Sequence, residues 1–89
     1  MLSLDEARDT LRLDGTDNDA MIQALLSTIP DYIELTTGLD ILAQQGEPLV
    51  DTVSTFLLKL WYNAEQSEAE KLQRVIDGLL KTITLKRTM

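Results

Sequence analysis

The sequence has no cysteine and no histidine. The first absence excludes disulfides and thiol chemistry. The second removes the usual general base and the commonest metal ligand. Ser3, Ser27, Ser54 and Ser67 therefore have no histidine to activate them. No glycine-rich phosphate loop and no metal-ligand spacing occurs, and the carboxylate pairs fall on solvated helix faces, so the sequence points away from an enzyme and implies no cofactor. No apolar run reaches the ~20 residues needed to cross a bilayer, which implies no membrane contact. The opening MLSLDEAR holds an acidic pair and lacks the basic-then-apolar order of a signal peptide. A soluble protein made inside the cell is expected.

What is present is a single acidic domain. The 89 residues are 44% hydrophobic with a net charge of −7. Residues 1–51 carry eleven acidic and two basic side chains, whereas 52–89 carry four acidic and six basic. An acidic half disfavours non-specific nucleic-acid binding, because phosphate contacts need Lys and Arg. Its simplest role is solubility. A chain of this size buries only a little over ~60% of its unfolded surface, so assembly with copies of itself or a partner would add stability.

The apolar spacing predicts an all-α fold, a small bundle of about four helices. Ser3 and Glu6 form a capping box for a short helix from Leu4 to about Arg12, with Leu4, Ala7 and Leu11 on one face. The longest stretch runs from Asp17, the expected N-cap, to Gly38, a stop that tolerates a left-handed conformation. Within it Ile22, Leu25, Leu26, Ile29, Tyr32, Ile33 and Thr36 share a face. Pro30 conflicts with a straight helix at a cost of roughly 3 kcal/mol. Its angular position on the polar side predicts a kink with Pro30 convex and solvent-facing, or failing that a break. Ala24 and Leu35 lie off the main stripe and either widen the core face or meet another chain.

Leu39 to Glu47 reads as a loop whose apolar Leu39, Ile41 and Leu42 either fold back on the core or dock on a neighbour. Pro48 suits the first turn of the next helix. Its main stripe is Leu49, Val53, Phe56, Leu57, Leu60 and Ala64, broadened by Val50 and Trp61, with Leu58 and Tyr62 as a second strip. Phe56, Leu60 and Trp61 are expected to be largely buried, with Leu25 and Ile29 opposite. A capping box of Ser67 and Glu70 opens a fourth helix from Glu68 to about Lys81. Its stripe is Leu72, Val75, Ile76, Leu79, Leu80 and Ile83. The end from Thr82, with Lys86 and Arg87, is expected to fray into a mobile basic tail, either an arm for a neighbouring subunit or an end without a role. The acidic turn from Asp14 to Asp19 imitates a calcium loop but has Asp19 and Leu25 where glycine and glutamate are required, so it reads as a turn and helix start that binds no metal.

The opening Leu4-Asp5-Glu6-Ala7-Arg8-Asp9-Thr10-Leu11-Arg12-Leu13-Asp14 resembles the start of the phage head–tail connector proteins (gp6-like, DNA-packaging adaptor). The resemblance continues through Asp19, Ile22, Leu25 and Leu26, through Tyr32-Ile33-Glu34 to Thr37-Gly38, and into Leu57-Leu58-Lys59-Leu60-Trp61-Tyr62-Asn63. It covers roughly residues 2–80. Where related sequences often carry an arginine after that late tyrosine, this one has Ala64 and Glu65. The resemblance implies a structural virion protein at the head–tail interface. It implies a homo-oligomeric ring of about a dozen copies on the portal protein. Such a ring extends the DNA channel, lets DNA pass without specific binding, and receives a downstream head-completion or tail protein. Candidate subunit or partner contacts are Leu35, Leu39, Ile41, Leu42, Leu58, Tyr62, Lys86 and Arg87. The competing reading is a small acidic helical module that docks on and regulates a basic protein.

Overall fold

The computed structural model describes residues 2–63 and 65–87, with the backbone alone at Asn63 and Arg87. The first helix, α1 (Leu4–Leu11), begins at the expected capping box: the Glu6 amide donates to Ser3 Oγ at 3.1 Å and the Ser3 amide to Glu6 Oε1 at 3.0 Å. It ends one residue earlier than the spacing suggests, because Arg12 adopts a left-handed conformation with φ 59°. The Leu13 amide reaches back to the Arg8 carbonyl at 2.9 Å and the Arg12 amide to Asp9 at 3.1 Å, which together form a Schellman closure.

Helix α2 (Asp19–Thr37) follows, and Gly38 ends it with φ 77° as its sequence position predicts. Asn18, not Asp17, is the N-cap residue, and its side chain does not cap the helix. Its amide instead donates to the Tyr62 hydroxyl at 2.7 Å. The helix passes through Pro30 without a break. Pro30 is buried, not solvent-facing. It shares a narrow cleft with Leu2, Leu26, Ile29 and Ser54, so its apolar ring is used as packing material between helices. The polar side assigned to it from angular position is therefore part of the buried face.

The segment expected to be a loop contains one helical turn, α3 (Ile41–Gln44), capped by Asp40 Oδ1, which accepts from the Ala43 amide at 2.8 Å. Helix α4 (Pro48–Asn63) starts at its proline. Helix α5 (Gln66–Arg87) starts before the expected capping box, so Ser67 and Glu70 lie inside it. It also continues beyond Lys81. Ile83 is buried and Thr84 is half-buried, which corrects the expectation of a tail fraying from Thr82. The burial of Ile83 outweighs the weak helix propensity of the neighbouring threonines, whose hydroxyls bond back to the Gly78 and Leu80 carbonyls. Thr88, Met89 and Ala64 lie outside the described residues.

Helices α2, α4 and α5 pack on one another, α1 rests against α2 and α4, and α3 folds back on α2. The core joins Ala7, Ile22, Ile29 and Ile33 to Val50, Val53, Leu57 and Leu58, and to Ile76, Leu80 and Ile83. On α4 the buried face is rotated from the predicted stripe toward Val50, Ser54 and Leu58. Phe56, Leu60 and Trp61 are consequently half-buried at its rim. Trp61 stacks at a tilt on Tyr32 with ring centroids 5.2 Å apart.

Candidate interaction surfaces

Two ion pairs fix the ends of the bundle. Arg8 Nε donates to Asp19 Oδ1 at 2.9 Å, and its other terminal nitrogens reach Asp19 Oδ2 and Asp5. This fork joins α1 to the first turn of α2, where an acidic side chain also complements the helix dipole. The hydrogen bond from Arg8 holds the Asp19 carboxyl below its usual range. Lys86 Nζ donates to Glu47 at 3.0 Å, joining the end of α5 to the start of α4. Glu47 also accepts from the Leu49 amide at 3.2 Å. The Lys86 bond, with the Leu49 bond behind it, lowers the Glu47 pKa.

At this end Gln44 is buried. Its amide donates to the Pro30 and Leu39 carbonyls at 2.9 Å each, while its Oε1 is buried with no hydrogen-bond partner. Gln44 falls in the stretch from Leu39 to Glu47 that the sequence reads as a loop; the aspartate at position 40 was a legible N-cap for the turn, but nothing in the spacing marks a glutamine as buried.

The eight candidate contact residues do not form one surface. Leu35 on α2 is 87% exposed, and Leu42 and Ile41 on α3 are also exposed, at 79% and 42%. Leu39 is half-buried against the core. Leu58 is wholly buried and offers no surface, because α4 turns that strip inward. Tyr62 is half-buried and bonded to Asn18. It lines an open groove of about 400 Å³ between the end of α1 and the start of α5, together with Leu11, Arg12, Lys59 and Glu68. Lys86 is engaged by Glu47, and the Arg87 side chain lies outside the described residues. Three further exposed apolar residues, Met21, Val75 and Leu85, were not singled out as contacts by the sequence. Val75 was placed in the core stripe, although it sits one step aside from Ile76 and Ile83.

The groove gathers Arg12, Lys59 and Glu68 with the hydroxyl-bearing Thr10 and Tyr62. Among the described residues no group of three or more acidic side chains is placed to hold a metal ion, and no helix is long and apolar enough to cross a membrane. The surface carries both exposed apolar and charged side chains. No curated protein and no solved structure matches the chain. The family model of the phage gp6-like head-tail connector protein matches residues 1–86, and the chain belongs to that family.

Proposed function

We propose that the protein is a subunit of a closed ring, about a dozen copies in size, that seats on the portal protein at the virion head–tail interface. The ring extends the channel through which DNA passes and presents a rim to the next head-completion or tail protein. The subunit is made in the host cytoplasm, and its role is structural and not catalytic. Family membership over residues 1–86 carries this reading. The exposed Leu35, Leu42, Met21, Val75 and Leu85 support it, since they are apolar area that neighbouring subunits would remove from water. The net charge of −7 suits a wall along which DNA slides without sticking.

The test is mass measurement of the purified protein across concentration, alone and with portal rings. Closed high-order oligomers, or stoichiometric capping of the portal, are expected. A protein that stays monomeric in both settings and instead binds a basic partner tightly would replace this reading with that of a small acidic regulatory module.

A further inference from the structure

We infer that the ring contact is made by two different faces of this chain, the outer face of α2 on one copy and the outer face of α5 on the next; this rests on the ring reading above. Six large apolar side chains are exposed among the described residues, and four of them fall on these two faces. On α2, Met21, Ala24, Thr28, Asp31 and Leu35 recur at alternating steps of three and four and are all exposed. On α5, Lys71, Val75, Gly78, Thr82 and Leu85 do the same. Each seam spans about 21 Å at the rise of an α-helix, so the two match in length. This spacing is the seam by which helices pack side by side.

Their charges differ. Helix α2 contains no Lys or Arg and exposes Asp31 on the seam and Glu34 beside it. The α5 seam carries Lys71 and is flanked by Arg74 and Lys81. Of the acids of α5, Glu68 lies three residues before Lys71 on the same face, while Glu70 and Asp77 lie further round the helix, and Asp77 accepts from Gln73 at 2.8 Å. Two α2 faces, which carry acids and no cation, would repel, whereas the α5 face offers Lys71 and Arg74 to Asp31, so the pairing is α2 on α5 and a second copy is the complementary partner. Burying the seams also orphans no hydroxyl. Thr28 donates to the Ala24 carbonyl and Thr82 to the Gly78 carbonyl, both at 2.9 Å. Gly78 has no packing reason within the monomer, because a Cβ there meets nothing within 4 Å. Against a neighbouring helix it allows close approach. Two unlike faces meeting head to tail generate a ring when the rotation closes.

The test compares assembly of three sets of full-length variants with the unmodified protein by analytical ultracentrifugation and electron microscopy. Asp31→Lys with Glu34→Lys, and separately Lys71→Glu with Arg74→Glu, should each raise the concentration needed for assembly by about tenfold or more. Combining all four changes in one chain should restore assembly. Gly78→Gln places a helix-favouring side chain into open space, so it should leave the helical circular dichroism and melting intact while blocking assembly. If the unmodified protein forms rings and all these folded variants form them equally well, the α2–α5 contact is wrong and the ring reading stands. If the unmodified protein forms no ring with or without portal, both fall.

Discussion

Helices α2 and α4 have similar proportions of apolar residues, yet they play different parts in the molecule. Helix α4 is packed by α1, α2 and α5, and it buries Val50, Val53, Ser54, Leu57 and Leu58 across a wide arc. Helix α2 buries Ile22, Ile29, Pro30 and Ile33 on one side and leaves Met21 and Leu35 in solvent on the other. Apolar content therefore does not decide burial here. The placement of the neighbouring helices does. The helices around α4 lie over a wide arc of its surface, whereas the four that touch α2 leave the Met21 and Leu35 side uncovered.

The sharpest break in this comparison is the same substitution made on each helix. Leu58→Ala removes a wholly buried side chain and should cost about 2–5 kcal/mol in urea unfolding, a large share of the stability of a small domain. Leu35→Ala should change it by less than about 0.5 kcal/mol. Equal effects would mean that Leu35 and Leu58 do not differ in burial as the structure has it. A smaller effect tests how α2 is held at its proline. Ser54 on α4 satisfies its hydroxyl within its own helix, at 2.7 Å from the Val50 carbonyl. The Pro30 carbonyl on α2 takes a bond from Gln44 of α3. Gln44→Ala should lower stability by about 1–3 kcal/mol, read by the same melts.

The ends of α1 and α2 give a finer contrast. Both chains turn into the left-handed conformation, through Arg12 at φ 59° and Gly38 at φ 77°. Arg12→Gly relieves a backbone cost and should stabilise by about 0.5–1 kcal/mol, whereas Gly38→Ala should destabilise by about 1 kcal/mol. Matching signs would refute the steric account of these two caps. The smallest effect is on acid stability. The Asp19 and Glu47 carboxyls are held below their usual range by Arg8 and Lys86. Their contribution is fully present above the unfolded-state pKa and is lost as pH falls through the lower folded value. Asp19→Asn with Glu47→Gln should flatten the acid limb of the pH–stability profile and leave the alkaline limb alone.

Much of the fold was legible because local signals agreed with the tertiary result. The Ser3–Glu6 box, Gly38 and Pro48 each mark a boundary through one residue's backbone preference, and each boundary is where the structure has it. The errors arose where a long-range contact outweighed such a preference. Asp17 looks like the cap, but Asn18 takes that place and its side chain reaches Tyr62. Ser67 and Glu70 look like a box, but α5 begins ahead of them. Thr82 and Thr84 look like a fraying end, but Ile83 between them is in the core. The candidate contacts were the least legible. Leu35 and Leu58 are both leucines beside an apolar stripe, and only where the other helices lie around each separates surface from core.

The sequence by itself determined an acidic all-α domain without histidine or cysteine chemistry, the approximate course of its helices, and a resemblance that the family match over residues 1–86 bears out. These follow from composition and from the 3.6-residue period, which are properties of neighbouring positions. Only the tertiary structure decided that Pro30 and Gln44 face inward, that α4 turns Leu58 into the core, and that Met21, Leu35, Val75 and Leu85 remain outside. The period of a helix says which residues share a face, but which face is covered depends on where the other helices lie around it.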